Sequence, residues 1–172
     1  AAVGSYRIEV LQMASATTAS SSSSMGAAIN PNATLNAADG PTADISAGTF
    51  TINGQEFTIG DPNATSLNGI INAINANGSV GVDASYEAGS DRIVFTNRTV
   101  GDGTVINFGA SGDTSNFLSA VGAVGATQSS DGDGTTTVSG STSLGAVNVG
   151  EDLSNVRFAN GNITGGSFRI NG

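Results

Sequence analysis

Residues 48–77 read GTFTINGQEFTIGDPNATSLNGIINAINAN, and two successive periodicities in this stretch decide the fold. Thr49–Asn53 alternates, putting Phe50 and Ile52 on one face, and Gln55–Ile59 repeats the pattern with Phe57 and Ile59. Between them, Asn53-Gly54 tolerates positive φ at both positions, as a type I′ hairpin turn requires. Asp61-Pro62-Asn63 closes the unit, and the period then changes. Leu67, Ile70, Ile71 and Ile74 fall at i, i+3, i+4 and i+7, the apolar stripe of a helix over residues 66–77. Thr65 or Ser66 serves as its N-cap and Gly78 is expected at the left-handed C′ position.

Downstream, Val80, Val82, Ala84 and Tyr86 alternate, Ala88-Gly89-Ser90 turns the chain, and Arg92–Asn97 returns as a strand. Thr104–Phe108 reads as a further strand. Asp113–Val121 reads as a short capped helix with Phe117, Leu118 and Val121 inward and Gly122 ending it. Upstream, Tyr6, Ile8 and Val10 mark a half-buried strand over residues 5–13, followed by the Ser-rich stretch 14–25. Residues 26–45 carry the turn signals Asn30-Pro31-Asn32 and Asp39-Gly40-Pro41 and read as irregular, with one short strand at most. Residues 123–150 are polar and Gly-rich, with short β-like runs such as Thr135–Val138. The expectation is an α+β, mainly β fold: antiparallel sheets with two short helices packed on them. The helical stripe should lie on a sheet carrying Phe50, Ile52, Val82 and Phe95.

Composition narrows the chemistry. The chain of 172 residues has no His and no Cys, so it offers no imidazole base, no thiolate and no His- or Cys-built metal site. A Ser-His-Asp triad is excluded. The five cations, all Arg, are scattered at 7, 92, 98, 157 and 169, and the net charge is -9. Such a surface repels phosphate backbones, so no nucleic-acid partner is expected. No apolar run approaches a membrane span, and no membrane partner is expected either. The start of the chain shows no charged and apolar regions of a signal peptide.

Individual candidates for chemistry read as structural. Asp131-Gly132-Asp133-Gly134 suggests a calcium loop, but Thr142 stands where an EF-hand needs its bidentate Glu. Asp83 and Glu87 share the solvent side of one strand, which argues for a solvated face over an acid/base pair, and Asp91-Arg92 reads as a turn-edge ion pair. Asn32, Asn63, Asn77, Asn97 and Asn162 head Asn-x-Ser/Thr triplets, as expected by chance in a chain this rich in Asn, Ser and Thr. The reading is therefore no enzyme, no catalytic residues, no metal and no cofactor.

The last seven residues, GSFRING at 166–172, repeat GTFTING at 48–54 with five identities. This points to a second module beginning at the end of an excised fragment. Three regions follow: an N-terminal strand and irregular segment at 1–45, a β-α-β module at 46–127, and a return segment with the start of a second repeat at 128–172.

The quoted hairpin and helix, followed by GVDASYEAGSDRIVFTNRTVG at 81–101, resemble the IN module of flagellin and hook proteins. YRIEVLQMASA at 6–16 and GDTSNFLSAVG at 112–122 resemble segments of the flagellar filament-capping family, hook-associated protein 2. Met13 departs mildly from that pattern, and residues 17–45 and 128–150 align with nothing in it. The resemblance implies a structural head region of a cap at the distal, extracellular tip of the bacterial flagellum, exported by the flagellar secretion system. There it retains flagellin subunits and promotes their folding and insertion, with self-association into a ring in the full-length protein. The alternatives are an adhesin-type head that binds host surface glycans or mucin through its amides and hydroxyls, and a variable domain of flagellin. These residues contain no heptad seam, so the chain by itself is expected to be monomeric in dilute solution, with strand edges such as 166–172 available for weak pairing.

Overall fold

A computed structural model describes residue 4, residues 25–100, 104–130 and 134–147, and positions 150, 152–153, 156, 158–161 and 163–170. The strand expected at 5–13, the Ser-rich stretch 14–24, and Asp131 and Asp133 lie outside these residues. The fold is α+β and mainly β.

The opening hairpin forms as its turn chemistry demands. β1 (Gly48–Ile52) pairs antiparallel with β2 (Gln55–Ile59), and Asn53 and Gly54 both take positive φ, 49° and 76°. The helix α1 (Leu67–Ala76) follows, its N-cap Ser66 accepting a hydrogen bond from the Gly69 amide at 3.1 Å. Leu67, Ile70, Ile71 and Ile74 are all buried. The C-terminus differs from expectation. Gly78 does not become left-handed; Asn77 leaves the helix in an extended conformation with its N–H bonded to the Ile74 carbonyl.

β3 (Val82–Glu87) and β4 (Arg92–Asn97) form a second hairpin. β5 (Gln128–Ser130) and β6 (Thr136–Ser139) complete a four-stranded antiparallel sheet in the order β3-β4-β6-β5. β5 carries no alternating pattern and is absent from the sequence reading. The return segment thus supplies half of the larger sheet. The second helix, α2 (Phe117–Ala120), is only one turn long and has no side-chain N-cap, because the Asn116 amide is engaged with Asp44 and Ser46. Gly122 ends it at φ 67°. Thr104–Phe108 is not a strand. Its one ladder contact is an isolated Ile52–Phe108 bridge, and much of its bonding goes instead to the side chains of Gln128 and Thr136.

Among the described residues one hydrophobic core joins the two sheets. Phe50 and Ile52 belong to the small sheet and Val82 and Phe95 to the large one, so the four residues lie on two sheets rather than the single sheet expected, and α1 packs against β3 of the larger. Phe50 stacks on Phe57 at 5.4 Å and meets Phe117 at 4.7 Å, while Phe95 meets Phe108 edge-on at 5.0 Å, geometries that favour aromatic pairs. The irregular span 26–45 contributes Ile29, Leu35 and Ile45 to the same core. Among the described residues its bridge pairings are the isolated Thr34–Ser66 and Gly26–Phe158 bridges.

Candidate functional site

The carboxylates singled out in the sequence go to different places. Asp83 is exposed and forms an ion pair with Arg98 at 2.8 Å. The same guanidinium donates to the carbonyls of Asn75 at 2.8 Å and Asn77 at 3.0 Å, so it caps the C-terminus of α1, where a cation also suits the helix dipole. Glu87 accepts the Ser90 hydroxyl at 2.6 Å within its own hairpin turn. At the rise of a strand, the Cα atoms of Asp83 and Glu87 stand about 13 Å apart, and the two carboxylates bond to different partners, Arg98 and Ser90. They do not form an acid/base pair.

Asp91 corrects the sequence reading most. It forms no turn-edge ion pair with Arg92. It is buried, with positive φ of 54°, and four donors converge on its carboxylate. Oδ1 accepts the Ile29 amide at 3.0 Å and the Tyr86 hydroxyl at 2.6 Å. Oδ2 accepts the Ser143 hydroxyl at 2.6 Å and the Gly145 amide at 2.7 Å. The Asp91 carbonyl also accepts the Leu144 amide at 2.8 Å. One residue therefore ties segment 27–29, the β3–β4 hairpin and segment 143–145 together. Burial by itself raises the carboxyl pKa, but the hydrogen bonds from Ser143, Tyr86, Ile29 and Gly145 together outweigh it and hold it below the usual carboxylate range. A carboxylate with both oxygens doubly satisfied has no lone pair free for a substrate or metal. This is a structural knot.

Asp113 plays a similar part beside the small sheet. It accepts the Thr51 hydroxyl at 2.6 Å, the Thr51 amide at 3.0 Å and the Ala110 amide at 3.0 Å, and these bonds outweigh desolvation to lower its pKa. Among the described residues, no group of three His, Cys, Asp or Glu converges in a way that would hold a metal ion.

A pattern the sequence did not announce is that side-chain amides replace strand partners. Asn75 donates to the Ala84 carbonyl at 2.9 Å and accepts its amide at 2.7 Å, bonding α1 to β3 as a ladder residue would. Asn36 does the same to both backbone groups of Ile45, and Gln128 to both of Ile106. Asn53 bridges the Val80 carbonyl and the Asn107 amide. These amides look available for sugar hydroxyls when the sequence is read alone. In the fold their bonding is spent on backbone.

Of the Asn-x-Ser/Thr positions, Asn162 lies outside the described residues, Asn63 is exposed, and Asn32 accepts from Asn68 at 2.7 Å. A surface concavity of about 630 Å³ near the end of the chain is lined by Leu153 and residues 163–168, with no titratable side chain in its wall. No helix among the described residues is long and apolar enough to cross a membrane. In comparison with known proteins, no family profile matches the chain, no curated protein is significantly similar to it, and no solved structure matches it.

Proposed function

We propose that this chain is a structural head module of the cap at the distal tip of a bacterial flagellum, where it helps to retain exported flagellin and promote its folding and insertion. The observation that carries the reading is how the IN-like segment is used. The apolar positions of residues 48–97 build one hairpin–helix–hairpin core, with Phe50, Ile52, Ile70, Ile74 and Phe95 in contact through it. The Asn116-Phe117-Leu118 segment, the second element of the resemblance, is bolted to that core. Phe117 packs on Phe50, and the Asn116 amide accepts the Ser46 N–H at 2.8 Å and donates to the Asp44 carbonyl at 2.8 Å. Two of the three stretches that carry the likeness thus pack as one unit, while the third, at 6–16, lies outside the described residues. A scaffold role also suits Asp91, whose carboxylate accepts four internal hydrogen bonds, and Asp113, which accepts three.

Immunogold labelling of intact cells of the source organism, with antibody raised against the purified chain, tests the proposal. One gold cluster at the end of each filament is expected. Gold spread along the filament would instead make the chain part of flagellin, and gold on the cell body alone would make it an adhesin head; either result overturns the cap reading.

A further inference from the structure

The two copies of the repeated motif meet opposite fates. In β1, Phe50 and Ile52 are 1% and 0% exposed; at the matching positions, Phe168 and Ile170 are 86% and 78% exposed. Segment 163–170 is irregular and exposed throughout. It therefore carries the side-chain pattern of a strand, and no strand among the described residues pairs with it.

A matching edge lies on β2. Thr49 and Thr51 of β1 turn their backbone groups away from β2 and toward segment 109–115, where the Thr114, Ser115 and Gly109 amides bond their carbonyls. In an antiparallel pair the residues opposite them, Thr58 and Glu56, turn theirs away from β1. No backbone bond among the described residues meets Glu56 or Thr58 on that side. The edge also exposes the flank of Phe57, which is only half-buried although Phe50 stacks on its other side.

Laying the second motif on β2 in the register of the first sets Ser167 against Thr58, Phe168 against Phe57, and Arg169 against Glu56. The backbones of Ser167 and Arg169 then face those of Thr58 and Glu56. Phe168 continues the Phe50–Phe57 stack on the apolar face. On the solvent face, Arg169 meets Glu56, whereas the equivalent residue of β1 is the uncharged Thr51. Glu56 forms no ion pair among the described residues. The one departure between the motifs at this position is thus a cation placed opposite an anion.

We propose that residues 166–170 of one chain add as a strand to the open edge of β2 in a second copy, in this register. The inference does not rest on the capping reading. Strand addition supplies main-chain bonds for affinity and side-chain pairs for register. A five-residue strand buries far less than the roughly 1,200 Å² of a stable interface, so the association is weak. Chains separate at micromolar concentration and associate near ~1 mM.

Sedimentation velocity of the full chain from about 10 μM to 1 mM, at low salt, reads this directly. Arg169→Glu and Glu56→Arg should each weaken association roughly fivefold or more, and the double variant Glu56→Arg/Arg169→Glu should restore it. Both positions are exposed, so both variants remain folded. Concentration-dependent amide shifts at Glu56–Thr58 in the NMR spectrum should accompany the dimer. The proposal is overturned if the chain stays monomeric at 1 mM, if association ignores both reversals, or if residues 56 and 169 couple without any dependence on concentration, which would place the strand on its own chain.

Discussion

Replacing Asp91 by Asn keeps the side chain's shape and its tolerance of positive φ while removing one acceptor. The amide must present an NH₂ group either to the Ile29 amide and Tyr86 hydroxyl or to the Gly145 amide and Ser143 hydroxyl. In either orientation the hydroxyl can rotate and become an acceptor, but the backbone N–H cannot. One buried N–H is left facing another donor, which costs about 2–4 kcal/mol. Asp91→Ala orphans both amides and both hydroxyls and should cost about 4–6 kcal/mol. Against a total stability of roughly 5–15 kcal/mol, the first change is severe and the second approaches unfolding.

Urea denaturation at pH 7 measures the difference. With an m value near 2 kcal/mol/M, Asp91→Asn should lower the midpoint by about 1–2 M with m unchanged. Ser143→Ala, which removes one hydroxyl donor and leaves the backbone bonds intact, should lower it by about 0.5 M. A shift below about 0.3 M for Asp91→Asn would refute the reasoning, because it would mean that water already satisfies these donors.

Three further outcomes follow from the same structure. Ile74→Ala empties a fully buried position between α1 and the sheets and should cost about 3–5 kcal/mol in the same assay, with less than about 0.5 kcal/mol showing the stripe to be misplaced. Gly145→Ala drives a Cβ into the Ala27 carbonyl oxygen, backbone against backbone, and should lower the melting temperature by about 10 °C or more, whereas Gly89→Ala, with open space around it, should change it little. Acidification should destabilise the chain: Asp91 and Asp113 have lowered pKa values, so below about pH 4 the unfolded state binds protons that the folded state resists, and stability falls as pH drops through and below that point. Urea midpoints from pH 6 to pH 2.5 check the slope, and Asp91→Asn should flatten it.

What the sequence reveals and what it hides divide by range. The β1–β2 hairpin and the α1 stripe are legible because turn chemistry and apolar spacing act within a few residues. Asp91 is not, because three of its four donors lie 62, 52 and 54 positions away at Ile29, Ser143 and Gly145, and only Tyr86 is local. Read locally, an Asp before an Arg at a turn is a surface pair; only the tertiary fold brings its donors. The same holds for Ile29, Leu35 and Ile45, which sit between turn signals in a span with no period and still reach the core. β5 escapes for a different reason. A three-residue strand of Gln and Ser has no alternating apolar signal and forms only because β6 offers it a ladder.

The amides explain how a chain with only 11% charged residues keeps so much irregular backbone satisfied. A side-chain carboxamide is the same donor–acceptor pair as a peptide unit, so Asn36, Asn75 and Gln128 each complete a two-bond bridge where no strand is available. Lys or Arg could supply only the donor half and Asp or Glu only the acceptor half. Neutral bridges carry no charge to desolvate, which avoids the penalty attached to buried ions. It follows that Asn36, Asn53 and Asn75 serve as internal architecture, and that counting every amide overstates what the surface can offer a sugar. Asn75→Asp tests the point with a single atom change: it preserves the bond from the Ala84 N–H, loses the bond to the Ala84 carbonyl, and sets a carboxylate against that oxygen. The expected cost is about 1–3 kcal/mol at pH 7. That cost should shrink as acid protonates the new carboxyl and restores a donor. No loss at pH 7 would show that the carbonyl bond contributes nothing and that the bridge is held by its acceptor half alone.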